Sequence, residues 1–385
     1  MRWRGRFVDR TVPSGEIAAL LDLAVQISQE QTAGLVELER EHRFPSHVYR
    51  ALGQAGLMGL PYPEQYGGAE LPAEISLQVL EELAYDWLAI GIGVSVHNLA
   101  CYPLATAGTS EQRAEYLPPL LAGDRMGAYC LSEPHSGSDA AALTTRADRH
   151  GAEYVVNGRK AWITHGEVAD VFSAMVRTGD GGPRGISCLL IDAATPGVRA
   201  EPAERKMGNM TSPTNGIEFD EVRVPLERRI GDEGEGFIIA LQALDAGRLG
   251  IAACAVGVAQ AALDYATQYA QGREQFGQPI ARFQGVSFTL ADMAADIYAA
   301  RCAYLDAARR KDEGLEFSTQ AAMAKLVATD AAMRVTSAAV SVLGGAGYTQ
   351  DHPVERYFRE AKALQIVEGT NQIQRLVIGR HLAEA

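Results

Sequence analysis

A chain of 385 residues, 47 % of them apolar, is long enough for two or three domains around a sizeable core, and it is neither a disordered nor a fibrous composition. A formal net charge of −13 argues against nucleic acid as a partner, because that binding rests on Lys and Arg neutralising phosphates. The five cysteines, Cys101, Cys130, Cys188, Cys254 and Cys302, are widely spaced with no C-x-x-C pair; they suggest neither a zinc motif nor a disulfide framework, and point to buried thiols in a reducing, cytoplasmic setting.

The opening "MRWRGRF" is basic, but Asp9 and Glu16 follow too soon for a transit peptide, and a frayed start is expected there. From Glu16 to about Gly123 the period is helical. "EIAALLDLAVQIS", "HVYRALGQAGLMGL" and "EISLQVLEELAYDWLAI" each place apolar residues three and four apart, and "PYPEQYGG" and "GTSEQ" supply the breaks and caps between them. An all-helical domain is expected over 1–124.

The segment 125–238 reads as β structure. "EYVVNGRKAWIT" has two β-rich runs around Asn157-Gly158, a dipeptide favoured in tight hairpins, so a turn is expected at that point. "VFSAMVR", "GISCLLID" and "GIEFDEVRVP" follow as short strands, spaced as in an antiparallel sandwich or small barrel. Over 239–385 the helical period returns, with Leu290, Met293, Ile297, Ala300, Tyr304 and Ala307 forming one stripe. The apolar run "GIAACAVGVAQAAL" from Gly250 is shorter than a membrane span and contains Gln260, so a buried helix is expected and no membrane partner. A β insert between two helical parts is an informative order.

No G-x-G-x-x-G, Walker loop, G-x-S-x-G elbow or H-E-x-x-H occurs, and the eight histidines make no ligand pair at helical spacing. Hard chemistry here would come from an organic cofactor, not a metal. Five strings then carry a resemblance: "AYCLSEPHSGSDAAALTTRA" from Ala128, "NGRKAWIT" from Asn157, "REQFGQPIARFQG" from Arg273, "LGGAGY" from Leu343 and "IVEGTNQIQRLVIGR" from Ile366. Together, in order and from about residue 16 to 385, they resemble the acyl-CoA dehydrogenase family. The resemblance implies helical, β and helical domains, with FAD held between the β domain and a C-terminal four-helix bundle in a homotetramer, a dimer of dimers. It also implies an acyl-CoA substrate and an electron-transferring flavoprotein as acceptor.

Each string has a physical reading beside the resemblance. "LSEPHSGSD" offers a backbone able to approach a flat ring while presenting N–H and O–H donors. The resemblance implies that Tyr129, Leu131, Ser132, Gly137 and Ser138 lie along the flavin, with Ser138 also reaching the acyl-CoA; His135 stands where the family more often has Asn or Gly. Trp162, Ile163 and Thr164 pair a large ring with a hydroxyl, suited to a flavin edge or simply to a core tryptophan. Arg273 and Phe276 suit a pyrophosphate and an adenine. By resemblance they serve the FAD of a neighbouring subunit with Gln284, Gly344 and Gly345, while Ser341 replaces a family glutamine. Thr370 and Gln372 are further flavin contacts, and Gly369 is a substrate contact, on the same basis.

Glu368 ends the apolar "ALQIV". As a structural residue it is a helix-start carboxylate; if buried, its pKa rises and it becomes a base near neutral pH. The resemblance makes it the base that removes the α-proton of an acyl thioester while the β-hydrogen leaves as hydride to flavin N5, giving a trans-2-enoyl-CoA. In the isovaleryl branch of the family the base comes instead from the position held here by Gly247, so the short-, medium- or branched-chain type is implied. Asp245 and Arg248 are either CoA contacts or a surface ion pair one turn apart. Val367, where relatives often have tyrosine, is expected to alter the acyl cavity, whose floor is expected around "FIIALQALDAG". Alternatives are a dehydrogenase or oxidase acting on a carrier-protein-bound acyl group, and a non-catalytic flavin-containing binding protein.

Overall fold

The structure, a computed structural model, describes residues 10, 12, 14–32 and 34–384, so the start expected to be frayed lies outside the described residues. The N-terminal part is helical as read: α1 Gly15–Thr32, α2 Leu35–Glu41, α3 Ser46–Gln54, α4 Ala73–Asp86, α5 Leu88–Ala107 and α6 Ser110–Leu121. The stretch read as one helix from Glu74 to Ile90 is two, because Trp87 adopts an extended backbone (φ −154°) between α4 and α5. At "GTSEQ" the Thr109 hydroxyl accepts from the Gln112 N–H while the Gln112 side chain accepts from the Thr109 N–H, a capping box that starts α6.

The middle part has eight strands: β1 Gly127–Cys130, β2 Arg146–His150, β3 Glu153–Thr164, β4 Val171–Arg177, β5 Ile186–Asp192, β6 Val198–Ala200, β7 Thr214–Pro225 and β8 Arg229–Ile230. They form one sheet in the order β6-β7-β3-β2-β4-β5-β8, with β1 joined in parallel to β4. The pairing is mostly antiparallel. The sheet curls over its own core: Phe172 on β4 meets Phe219 on β7 edge to face at 6.4 Å although two strands separate them in the sheet order.

Asn157-Gly158 is not a turn. It lies inside β3 at a register shift against β7, where Gly158 (φ 149°) passes so close to Thr145 that a Cβ would sit 2.7 Å from the Thr145 Cα. Asn157 spans the irregularity: its side-chain oxygen accepts from the Glu221 N–H at 2.8 Å and its amide donates to the Glu221 carboxylate at 2.6 Å. The actual hairpin joins β2 to β3 through Gly151-Ala152, with His150 paired to Glu153.

The C-terminal part comprises α7 Gly236–Gly272, α8 Gln284–Asp312, α9 Ser318–Leu343, α10 Val354–Leu364 and α11 Asn371–Glu384. A small hairpin, β9 Glu274–Gln275 and β10 Gln278–Pro279, projects between α7 and α8. The predicted stripe on α8 is inward, with Met293, Ile297, Ala300, Tyr304 and Ala307 buried. The run from Gly250 belongs to a helix of 37 residues, longer than the run itself suggested. By length and composition alone, three segments among the described residues are long and apolar enough to cross a membrane: Leu88–Ala107, Gly236–Gly272 and Ser318–Tyr348. Here α7 is the axis against which α4, α5, α8, α9 and α10 all pack. Close approach requires small residues: a Cβ on Gly257 would lie 2.3 Å from the Glu81 carbonyl oxygen of α4.

A buried polar cluster ties the two helical parts together. The Glu81 carboxylate on α4 accepts from Arg301 Nη2 (2.8 Å) and Tyr304 OH (2.5 Å) on α8, and Arg10 Nη1 stands 2.9 Å from it. Burial raises the Glu81 pKa, but Arg301 and Arg10 outweigh burial and hold the carboxyl well below the usual range. A depressed carboxylate stabilises the fold above its ordinary pKa and loses that contribution as pH falls. Removing one member leaves buried charge uncompensated, so Glu81→Ala is expected to destabilise the protein by about 3–5 kcal/mol. Chemical denaturation of the variant and the parent checks this.

Candidate active site

The loop between α10 and α11 is short and tightly held. The Asn371 N–H returns to the Gln365 carbonyl at 3.0 Å, and Glu368 (φ 53°) and Gly369 (φ 89°) both take the left-handed backbone. That conformation is costly for a non-glycine residue and persists where surrounding contacts enforce it. Those contacts come from two helices. Lys325 Nζ on α9 donates to the Gly369 carbonyl and to Asn371 Oδ1, each at 2.9 Å, and Gln374 Nε2 on α11 donates to the Gly369 carbonyl at 2.7 Å. The Asn371 amide in turn donates to Thr329 Oγ1 and Asp330 Oδ1.

The turn aims Glu368 at α7. Both carboxylate oxygens are buried and without a hydrogen-bond partner, although the residue as a whole is only partly buried. A Cβ on Gly247 would lie 2.1 Å from Glu368 Oε2, so the carboxylate occupies the space a side chain there would need. Burial pushes the Glu368 pKa up to about 8, with Lys325 and Arg248 pulling the other way. A buried, unpaired carboxylate with a pKa near neutrality is a poised proton acceptor and not a helix cap.

Asp245 and Arg248 are not the surface pair that was one of two readings. Arg248 Nη1 meets Asp245 Oδ1 at 2.5 Å with both side chains largely buried, and Arg248 Nε is left without a partner. A cavity of about 300 Å³ reaches Gly247, lined among others by Tyr62, Leu80, Ser95, Leu99 and Tyr102. Of the α7 segment expected to floor it, Ala243, Ala246 and Gly247 take part, while most of the wall comes from α4, α5 and the 57–63 loop. Val367, expected to shape the cavity, packs instead against the helical core and does not line it.

Tyr129 is buried on β1, its hydroxyl 3.4 Å from the Ala240 carbonyl, and it feels the Glu368 charge. Beyond it, Leu131 and Ser132 are laced to β3: Lys160 Nζ donates to the Leu131 carbonyl at 3.2 Å and the Ala161 N–H donates to the Ser132 carbonyl at 2.9 Å. Buried Lys160 also pairs with Glu133 at 2.8 Å, and Glu133 accepts from the main chain of Thr144 and Thr145. This fixes Ser132 beside Trp162, Ile163 and Thr164. Ile163 is buried, whereas Trp162 holds a left-handed backbone (φ 62°) and is 62 % exposed. An exposed indole on a strained strand end, next to a rigid loop of donors, fits the edge of an isoalloxazine. Gly137 and Ser138 are exposed on the same loop, and His135 lies 3.4 Å from Thr144 Oγ1.

The remaining predicted residues do not join this ledge within one chain. Arg273 leads from α7 into the β9–β10 hairpin and Phe276 (φ 53°) lies in its turn, 95 % exposed, with the Phe283 ring edge-on to it at 6.0 Å. Gln284 is exposed at the start of α8, and Gly344 and Gly345 face open space after α9. Ser341 Oγ turns back to the Ser337 carbonyl at 3.1 Å, as expected of a residue too short to replace glutamine. Thr370 Oγ1 accepts from the Ile373 N–H and starts α11, and Gln372 is exposed beside it.

Sequence reasoning passed over Lys325, Asn371, Gln374 and the Lys160–Glu133 pair. One signal was available for Lys325: a lone lysine inside the small-residue run "AAMAKLVATDAAM" has no reason to be there as a solvated charge.

The comparisons agree with this geometry. Three family models match in succession: acyl-CoA dehydrogenase, N-terminal domain, over residues 14–124; middle domain over 128–222; and C-terminal domain over 234–383. An acyl-CoA dehydrogenase of Bacillus subtilis (strain 168) is 44 % identical over 347 residues, covering 90 % of this chain and 92 % of that protein. Butyryl-CoA dehydrogenase from Megasphaera elsdenii superposes with a TM-score of 0.94 at 38 % identity, over 97 % of this chain and 100 % of that one. A chain in a structure described as electron transferring flavoprotein of Acidaminococcus fermentans superposes with a TM-score of 0.95 at 40 % identity, over 98 % of this chain and 100 % of that one. The chain belongs to the acyl-CoA dehydrogenase family.

Proposed function

We propose that the protein is an FAD-dependent acyl-CoA dehydrogenase that converts a short acyl-CoA to its trans-2-enoyl-CoA, with Glu368 as the base. The observation that carries this reading is the Glu368 carboxylate: buried, unpaired and facing Gly247 at the end of a cavity. The acyl chain lies in the cavity between α4, α5 and α7, which brings its Cα next to Glu368. Glu368 takes the α-proton, and its main-chain N–H polarises the thioester carbonyl as enolate character develops. FAD, when bound, accepts the β-hydrogen as hydride and so supplies the electron sink. Leu131, Ser132 and the Trp162–Thr164 strand end hold the isoalloxazine, with Tyr129, Gly137, Ser138, Thr370 and Gln372 around it. Asp245 and Arg248, with Gly369 and Ser138, hold the thioester and pantetheine. A short chain is supported by the structural likeness to a butyryl-CoA dehydrogenase and by the modest cavity.

A homotetramer is part of the same proposal. Phe276, Phe288, Tyr298 and Tyr348 are each more than 60 % exposed, and Arg273, Gln284, Gly344 and Gly345 are exposed as well. A second copy covering this face supports both the burial and the shared FAD contact. Reoxidation by an electron-transferring flavoprotein is supported by the family and by the likeness to the Acidaminococcus chain. A cytoplasmic setting is supported by five free thiols.

Four outcomes test this. Glu368→Gln should retain FAD and bind thioester but lose flavin bleaching by about a thousandfold under anaerobic stopped flow; near-normal bleaching removes the assigned role. Gly247→Ala, which in an ordinary helix is stabilising, should here displace the carboxylate and slow bleaching by about a hundredfold. The base acts only when ionised, and its pKa is raised from 4.5 to about 8. Hence kcat/KM should climb about tenfold per pH unit below that value and level off above it, as steady-state profiles will show. In an anaerobic titration series of straight and branched acyl-CoAs, butyryl-CoA should bleach the flavin faster than decanoyl-CoA.

A further inference from the structure

We propose that Lys325 is a positioning residue for Glu368: its ammonium pins the left-handed turn that aims the base and provides the charge against which that carboxylate ionises. The inference rests on the reading of Glu368 as base and extends it to a residue that touches neither substrate nor flavin ledge.

The geometry carries it. Lys325 is fully buried on α9 among Ala321, Ala322, Ala324 and Ala328, and its Nζ spends two donors on the Gly369 carbonyl and Asn371 Oδ1, immediately after the base. A structural clamp alone could be neutral; an amide or hydroxyl would reach a carbonyl without the cost of burying an ammonium. A buried cation next to an unpaired buried carboxylate offsets part of that cost for both. The other groups facing the pair are few. Arg248 on α7 acts on both, lowering the Lys325 and Glu368 pKa values alike; Asp330 on α9 raises that of Lys325; Tyr129 on β1 and Cys254 on α7 sense Glu368 only as buried, neutral groups. Asp245 is engaged by Arg248.

Burial lowers the Lys325 pKa to about 8, with the Glu368 charge opposing, while burial raises that of Glu368 to about 8, with Lys325 opposing. The two groups therefore exchange influence in the pH range where the base must ionise. Loss of the lysine charge moves the ionisation of Glu368 upward; loss of the glutamate charge moves that of Lys325 downward.

The chain contains five lysines, Lys160, Lys206, Lys311, Lys325 and Lys362, so 15Nζ-lysine NMR of the FAD-loaded protein is a tractable readout. In Glu368→Gln, one lysine signal, absent from Lys325→Met, should titrate at lower pH than in the parent. In Lys325→Met, the pH midpoint of flavin bleaching should rise by about one unit, whereas Lys325→Arg, which keeps the charge, should hold it near the parent value. If Lys325→Met fails to retain FAD, the comparison of parent with Glu368→Gln decides, with Lys325→Arg assigning the missing signal. The proposal is overturned if no lysine titration responds to Glu368→Gln, or if Lys325→Met keeps FAD and bleaches with an unchanged midpoint. Normal bleaching by Glu368→Gln would sink the base reading instead, and leave the lysine response to be read by itself.

Discussion

A carboxylate sealed from water without a hydrogen bond is the constraint around which the rest of this molecule is arranged. Left alone, such a group protonates or turns outward. Glu368 holds its proton more tightly, with a pKa raised to about 8, but does not turn outward, because its backbone is locked in the left-handed region by Lys325, Asn371 and Gln374 and α7 presents a glycine where it points. The cost of that arrangement is carried by the bundle. α9 supplies the clamp, α7 the open floor and α11 the closing contacts, and these helices are packed through small residues that leave no room for repacking.

The β part solves a different problem, holding a loop rigid at the edge of a sheet. A buried Lys160–Glu133 pair stitches residues 131–133 to β3 and to the main chain of Thr144 and Thr145. The same strand carries Trp162 near its end and is followed by His165, both with left-handed backbones. Strain at Trp162 and at Glu368 thus falls on the two walls between which a flat cofactor and a thioester are proposed to lie. Strained positions held by over-determined surroundings are a common mark of functional sites.

Much of this was legible in the sequence. Period-3.6 stripes gave the helices and their inward faces, β-branched runs gave the strands, and five short strings in register gave the family. What failed was local and has physical causes. Asn157-Gly158 has the composition of a hairpin turn, yet the glycine is needed for a bulge against Thr145, and the chain reverses at Gly151-Ala152. Trp87 looks like a helical apolar position, but its extended backbone divides α4 from α5. For Asp245 and Arg248 a CoA contact and a surface pair both stood open, because spacing says nothing about which face of a helix is covered; the pair is buried. Val367 was expected to alter the cavity because relatives often have tyrosine there, whereas here it packs against the helical core and does not line the cavity.

The composition of α7 also limits how the acyl cavity can change. Its contribution to the wall is Ala243, Ala246, Gly247, Leu249 and Gly250, of which only Leu249 has a side chain long enough to shorten. A side chain added at Gly247 invades Glu368 and one added at Gly250 meets Ser95, so room on that side can come from Leu249 alone. Accommodation of a longer or branched chain is therefore carved mainly from residues such as Leu80, Leu99 and Tyr102 on the opposing helices, with Leu249 the one such position on α7. Room for the substrate is thus adjustable at many positions on one flank and at a single leucine on the other.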